Sequence, residues 1–531
     1  MKQFAALLDR LILTPSRNAK LQLMRDYFGR TPDPDRGLAV AAMTGDLDIR
    51  NVKPAMLRAL IEERMDSVLF GYSYDYVGDM AETISLVWPS KRDNEIDLSL
   101  GETVKSLQEV SRAGAPKLVE DLLNQLDTDA RWALLKLITG GLRIGVSARL
   151  VKQALADFGN RPVNEIEELW HGLEVPYLSL FAWLEGKGEK PISDLRAPFR
   201  PVMLAHALEE NDHTKIQPGD FAAEWKWDGI RVQAACDGEE RRLYSRTGDD
   251  ISNAFPDVLD TLHFDATIDG ELLVRPVDGA PGDVGSFGDL QQRLNRKTVS
   301  KKMLSTHPAF IRAYDVLALE GEDLRALPFS ERRKRLEGMI DKQDNERIDI
   351  SSIIAFADFG ELANLRENPP HPVIEGLMLK RWDGPYLPGR PKGYWFKWKK
   401  DPYIIDAVLM YAQRGHGKRS SFYSDYTFGV WKEDVGELVP VGKAYFGFTD
   451  EELKQIDKYV RDNTVDRFGP VRAVRAEEDH GLVLEVAFEG LNRSTRHKSG
   501  VAMRFPRISR LRWDKPPREA DKLSTLETLL S

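Results

Sequence analysis

Cysteine is nearly absent from this chain. Cys236 is the only one in 531 residues, which excludes disulfides, cysteine-cluster zinc sites and iron–sulfur clusters together. The nine histidines have no metal-ligand spacing and read as ordinary surface or core residues. No apolar run approaches the ~20 residues needed to span a bilayer, so no membrane association is expected. The opening stretch Met1-Lys2-Gln3-Phe4-Ala5-Ala6-Leu7-Leu8-Asp9-Arg10 is charged too early to supply a secretory apolar core, and the expected location is cytoplasmic. Repeats and low-complexity tracts are missing as well.

Nor is there an overall excess of positive charge. The net charge of -9 argues, on average, mildly against a nucleic-acid partner. The average hides a local run: between Arg493 and Lys515 stand Arg493, Arg496, Lys498, Arg504, Arg507, Arg510, Arg512 and Lys515, against Asp514 as the only acid. Such a run is a solvated face or a polyanion site, and the interleaved Phe505, Pro506, Ile508 and Trp513 favour the second. What the chain has in bulk, 42% hydrophobic and 30% charged residues, is the composition of a soluble globular protein. Its length calls for about three domains.

Residues 1 to about 190 carry helical spacing, as in Ala55 to Ile61, Leu118 to Leu123 and Arg131 to Ile138, with a further helix from about Ser147. Gly140-Gly141 ends one of these helices and reads equally as a cap or as a close approach to a phosphate chain. Around Pro191 to Pro201 the composition shifts, and strands are predicted at Ile230 to Ala235, Ala266 to Val274, Phe310 to Leu317 and Leu377 to Leu379, with helical stretches between. That alternation predicts an α+β domain. After Asp401 short strands recur at Ala407 to Tyr411, Tyr426 to Trp431, Leu438 to Val441 and Leu482 to Phe488, as in a small β-barrel.

The most informative run is Glu224-Trp225-Lys226-Trp227-Asp228-Gly229. A lysine amine attacks only when deprotonated, so a nucleophilic lysine needs neighbouring cations or a metal. Taken alone, Lys-x-Asp-Gly is more often a charged edge strand entering an Asp-Gly turn. Downstream, however, Arg231 and Arg246 could pair with phosphate or ribose oxygens, although each alone reads as a surface arginine. Glu271, in Asp269-Gly270-Glu271, and Glu375, in Glu375-Gly376-Leu377-Met378-Leu379-Lys380, are carboxylates beside apolar strands that could hold Mg²⁺. Lys397 and Lys399 in Trp395-Phe396-Lys397-Trp398-Lys399 share one strand face and could neutralise an α-phosphate. Tyr314 could stack on a purine.

In order and spacing these segments resemble the six motifs of the covalent nucleotidyltransferases, and closely those of the ATP-dependent DNA ligases. The resemblance covers nearly the whole chain. It implies that Lys226 becomes AMP-linked, and that motifs Ia, III, IIIa, IV and V correspond to Arg246, Glu271, Tyr314, Glu375, and Lys397 with Lys399. The last motif corresponds to Arg504-Phe505-Pro506-Arg507 followed by Arg512-Trp513-Asp514-Lys515. Leu142-Arg143-Ile144-Gly145 looks like part of the ligases' DNA-binding domain, which puts Gly141, Arg143 and Gly145 on DNA. Gly447-Phe448-Thr449-Asp450 with Gly481 to Gly490 looks like their OB-fold.

The architecture implied is a helical DNA-binding domain at 1–195, an α+β adenylation domain at 196–401 and an OB-fold β-barrel at 402–531. Implied too are ATP, with Glu224, Trp225, Lys226, Arg231, Arg390 and the motif residues around it, and Mg²⁺, with Mn²⁺ as a substitute, on Asp228, Glu271 and Glu375. The partner implied is nicked duplex DNA, met by a monomer at the nucleoid in replication, repair or recombination. Motif Ia carries Thr247 where ligases often have Asn, and Pro391-Lys392 adds a residue between Arg390 and Lys397.

Alternatives on the same scaffold are a GTP-using RNA guanylyltransferase or an RNA ligase, and, in another class, a DNA-binding protein without chemistry. The long helical region and the basic tail count against the first, the full residue set against the second. An NAD-dependent ligase is disfavoured by the lone cysteine. Gly415-His416-Gly417-Lys418 hints at a P-loop, but Arg419 stands where Ser or Thr is required, and a loop between strands is expected there.

Overall fold

The computed structural model describes all residues except 90–96, 193–194, 210–211, 214–216, 281, 295, 297, 344, 416–422, 433–435, 446–448, 496 and 531. Arg496, Gly447, Phe448 and the run His416-Gly417-Lys418 therefore lie outside the described residues. The chain divides into two compact units. One comprises residues 1–154, 175–178 and 401–531, the other residues 155–174 and 179–400.

Residues 1–154 are helical, as their spacing predicts. The expected helices appear as Pro54–Glu62, Ala115–Gln125 and Thr128–Thr139, and the last ends at Gly140 in the left-handed conformation (φ +69°) that glycine adopts without steric cost. Thr128–Thr139 is buried on all sides from Ala130 to Ile138, as befits a central helix apolar around its circumference. Its two buried cations are both satisfied. Arg131 donates to the Leu123 carbonyl at 2.5 Å, and Lys136 pairs with Asp79 at 2.6 Å.

In the second unit two sheets are built from β1 (His206–Ala207), β2 (Phe221–Trp227), β3 (Ile230–Asp237), β4 (Glu240–Ser245), β5 (Ala266–Val274), β6 (Ala309–Leu319), β7 (Glu322–Asp323), β8 (Ile348–Ile350), β9 (Ile353–Ile354), β10 (Ile374–Arg381) and β11 (Trp395–Lys399). One sheet has the order β1-β11-β10-β2-β9, the other β4-β3-β5-β6-β7 with β8 parallel to β6. The chain crosses from the first to the second at Asp228-Gly229, between β2 and β3. A Cβ on Gly229 would lie 2.5 Å from the Leu272 carbonyl oxygen, so this crossing needs glycine for space. Val232, Ala234, Ile268, Leu272, Ile311 and Val316 fill the core of the second sheet. Ala223, Leu377, Leu379 and Leu362 fill that of the first.

The C-terminal region of the first unit is strand-rich: β12 (Tyr403–Arg414), β13 (Tyr423–Trp431), β14 (Leu438–Ala444), β15 (Thr464–Phe468), β16 (Val471–Val474), β17 (Val483–Phe488), β18 (Gly490–Arg493), β19 (Val501–Arg504) and β20 (Arg507–Arg512). β12 is the spine, pairing from Val408 to Arg414 with β13, which in turn pairs with β14, and on its other edge with β17 first and β16 later. β18 and β19 form a separate ribbon. One helix interrupts the strands, Asp450–Asp462, opened by a capping box in which Thr449 and Glu452 satisfy each other's backbone amides. Among the described residues no helix is long and apolar enough to cross a membrane.

Candidate active site

Two rows across the first sheet assemble the site. Lys226 on β2 stands opposite Gly376 on β10, which stands opposite Lys399 on β11. One step along, Glu224, Met378 and Lys397 form the next row. Directly paired residues share a face, as do residues two apart, so Lys226, Lys397, Lys399, Lys380 and Glu224 all belong to the same side of the sheet.

Glu375 reaches that side by an irregularity. In the pairing of β10 with β2, Ile374 is opposite Trp227 and Gly376 opposite Lys226, leaving Glu375 as the extra residue of a β-bulge. In regular alternation its side chain would turn away. Here its carboxylate lies 2.8 Å from Lys226 Nζ and 3.1 Å from Lys399 Nζ. The same device occurs in the other sheet: Asp315 pairs with Asp269 and Ala313 with Gly270, so Tyr314 is skipped at a bulge. Its hydroxyl donates to Asp269 at 3.0 Å.

The charges are unevenly balanced. Burial opposes ionisation of Glu375, but the fields of Lys226 and Lys399 outweigh it and hold the carboxyl down at about 2. Burial pushes the Glu271 carboxyl up to about 8, with Lys226 opposing and the charge of Glu375 adding. Lys397 is held below the ordinary lysine range by burial and then by Lys399, Lys226, Arg390 and Arg246, which places all these cations within electrostatic reach of one another. Positive charge in such density calls for a polyanion.

Other expected residues are committed inside the protein. Arg231 pairs with the fully buried Asp269 at 2.5 and 3.0 Å and donates to the Met203 carbonyl at 2.6 Å and to the Tyr386 hydroxyl at 3.1 Å. Glu224 is buried between Lys380 and Arg333, the latter at 3.1 Å. Trp225, on the opposite side of β2, packs on the core with Leu377 and Leu379. Asp228 neighbours Glu375 and has its amide bonded to the Val373 carbonyl at 2.9 Å.

The network of Asp269, Tyr386, Lys380 and Arg333 was not singled out from the sequence. Lys380 is 1% exposed and sits 4.1 Å from the centre of the Tyr314 ring and 4.9 Å from that of Trp395, whereas Lys226 is 23% exposed and can be approached from outside. Lys380 directly follows the apolar run Leu377-Met378-Leu379 within its strand. That placement is the one signal that could have found it.

The tail cations belong to the other unit. Arg512 pairs with Asp406 at 3.1 Å and Asp514 at 2.9 Å, Lys515 with Asp406 at 2.8 Å, and Arg507 lies 3.9 Å from Glu489. Arg504 lies 5.5 Å from the ring of the exposed Phe505. Arg143 is exposed with φ +49°, between Gly141 and Gly145, the latter at φ +64°.

A surface-accessible lysine in a field of cations, with carboxylates beside it, on paired sheets joined at an Asp-Gly crossing, is the arrangement of a covalent nucleotidyltransferase. Family models narrow the class. "ATP dependent DNA ligase domain" matches residues 202–399, "DNA ligase N terminus" residues 1–156, and "ATP dependent DNA ligase C terminal region" residues 419–515.

Similar proteins include a probable DNA ligase of Anaeromyxobacter sp., 32% identical over 450 residues, with 83% of this chain and 84% of that one covered. DNA ligase 1 of Korarchaeum cryptofilum is 29% identical over 551 residues, with 100% and 98% covered. The solved structure of Pmar-Lig_Pre shares the fold, with a TM-score of 0.60 at 16% identity over 96% of this chain and 99% of that one. The chain belongs to the ATP-dependent DNA ligase family. That membership decides between the alternatives that its sequence left open.

Proposed function

We propose that this enzyme seals nicks in duplex DNA through a lysyl-AMP on Lys226. The observation that carries the reading is the row of Lys226, Gly376 and Lys399 with Glu375 swung in at its bulge, ringed by Lys397, Arg246 and Arg390.

In the first transfer the free amine of Lys226 attacks the α-phosphorus of ATP. The N–P bond forms, the bond to the β-phosphate oxygen breaks, and pyrophosphate leaves while the amine gives up its proton. Lys397, Lys399, Arg246 and Arg390 face the charge that develops on the phosphates. Tyr314, held by Asp269 and Lys380, flanks the base. Arg231 and Glu224 act through these partners, since their own polar atoms are already bonded. In the second transfer an oxygen of the DNA 5′-phosphate attacks the AMP phosphorus and the lysine amine leaves. In the third, the adjacent 3′-hydroxyl attacks the 5′-phosphorus and expels AMP.

Among the described residues no group of three or more His, Cys, Asp or Glu could hold a metal. Glu271 and Glu375, with Asp228 nearby, fit Mg²⁺ or Mn²⁺ only as a site completed by phosphate oxygens and water. The Glu271 carboxyl, raised first by burial and further by the charge of Glu375, is the observation that fits a cation there, because a cation would offset both. Bound there, the ion would neutralise phosphate charge.

The domain limits that best suit this reading are 1–195, 196–401 and 402–531, with support from the family models, which break between 156 and 202 and between 399 and 419. The loop of Gly141, Arg143 and Gly145 would meet the duplex backbone, in a monomer working at the nucleoid. For Arg512 and Lys515 to reach the β and γ phosphates they must exchange Asp406 and Asp514 for ATP.

The test is Lys226→Ala. It should bind nicked duplex and join a nick whose 5′ end already carries AMP, yet leave an ordinary nick open in the presence of ATP. Sealing of the ordinary nick by this variant would refute the assignment.

A further inference from the structure

Lys20 is a buried cation that no step above uses. It lies on the helix Arg17–Arg30, is 6% exposed, and sends its ammonium across the N-terminal region to the backbone of the loop that carries Arg143. Nζ donates to the Gly145 carbonyl at 2.7 Å and approaches the Ile144 carbonyl at 3.5 Å. The contact spans 125 residues of sequence.

The loop needs such a hold. Gly140, Arg143 and Gly145 all have positive φ, at +69°, +49° and +64°, so three of six consecutive residues hold a left-handed backbone. Arg143 is not a glycine, and its left-handed backbone persists only where surrounding contacts impose it. The peptide bonds on either side of Gly145 are trans, so drawing the Gly145 carbonyl inward to Lys20 turns the following amide, that of Val146, the opposite way. Gly145 is fitted to the contact from its own side, because a Cβ there would stand 2.7 Å from Lys20 Nζ.

We propose that Lys20 is a positioning residue for DNA binding. Its ammonium fixes the carbonyl side of the Gly141–Gly145 loop so that Arg143 is presented to the duplex backbone. This rests on the reading of that loop as a DNA contact. A buried hydrogen bond from a charged donor is strong enough for its loss to be read as about a tenfold change in binding.

The experiment compares the full-length enzyme with Lys20→Met, Arg143→Ala, the double variant and Gly145→Ala, using binding to a nicked duplex and, for Lys20→Met, AMP labelling of Lys226. Lys20→Met should bind the nick about tenfold more weakly than wild type while labelling to the wild-type extent, and its helical circular dichroism and urea midpoint should match wild type, which shows that the helical region is folded. The double variant should bind no more weakly than Arg143→Ala alone, a non-additivity that general destabilisation would not produce. Gly145→Ala disturbs the same contact without removing the ammonium and should reproduce the loss, so the proposal stays testable if Lys20→Met does not fold.

Unchanged binding by Lys20→Met, or losses from Lys20 and Arg143 that simply add, would overturn the positioning role while leaving the loop a DNA contact. Wild-type binding by Arg143→Ala would remove the DNA reading of the loop itself, and the proposal with it.

Discussion

Lys226 and Lys380 are chemically identical side chains on one face of one sheet, and their surroundings give them opposite roles. Lys380 is enclosed by Glu224, Tyr314 and Trp395; Lys226 pairs with Glu375 and is partly exposed. Glu271 provides a residue-scale test. Its folded-state carboxyl lies near 8, above the ordinary value of 4.5, so the native protein binds a proton that the unfolded chain has already released at neutral pH. Its contribution to stability is complete below pH 4.5 and lost as pH rises toward 8. Chemical denaturation of the metal-free protein between pH 5 and 8.5 should therefore show a decline in stability that is flatter in Glu271→Gln. An identical slope in the variant would refute the shift.

The closeness of Lys226, Glu271, Glu375, Lys397 and Lys399 was legible in the sequence, because nucleotidyl transfer calls for those residue types in that order; their roles are the ones proposed above. For Glu224 and Arg231 the buried partners were not legible. A linear sequence shows a charge and not the buried counter-charge, Lys380 or Asp269, that takes up its polar atoms.

At the scale of elements, strands were legible where apolar alternation is strong. Ala266–Val274 matches its expected bounds, and Ile230–Asp237 and Ala309–Leu319 each begin within a residue of theirs and run two residues further. The short β15 and β19 and the helix Asp450–Asp462 were not foreseen: the two strands span only five and four residues, too few for alternation to show, and the helix stands between strands although Leu453, Ile456 and Val460 keep helical spacing in it. Nor were the two bulges, since an added residue in a strand leaves no compositional mark.

The bulge at Glu375 depends on Gly376, whose added Cβ would lie 2.2 Å from the Trp398 carbonyl oxygen. Gly376→Ala should destabilise the protein by about 2 kcal/mol by urea denaturation and displace Glu375, lowering AMP labelling well beyond what lost stability explains. A stable, fully labelled variant would contradict this. Lys380 joins β10 to β2 through Glu224, and Arg333 adds the helix Phe329–Ile340. Lys380→Met strands a buried carboxylate and should cost about 3 kcal/mol, measured in the same way; a loss below ~1 kcal/mol would show that the network is not a unit.

For the whole molecule, an acidic chain and a polyanionic partner are compatible because charge is segregated. Phosphate contacts should dominate affinity, so binding to nicked duplex should weaken by about a thousandfold or more between 50 and 200 mM salt, with little dependence on sequence. A shallow salt dependence would mean that few phosphates are met. The three-part order of helices, paired sheets and late strands was legible from composition shifts at Pro191 to Pro201 and at Asp401. The grouping of residues 155–174 and 179–190 with the sheets was not, since helical spacing continues across it.

The nick sealing proposed here passes through AMP on Lys226. The most direct measurement incubates the protein with Mg²⁺ and either α-labelled ATP or α-labelled GTP, without DNA, and follows label on the denatured chain and then its transfer to nicked duplex. Label should come from ATP, be lost in Lys226→Ala and pass to DNA on addition of a nick. Label from GTP instead, or label from ATP that survives in Lys226→Ala, would contradict that route.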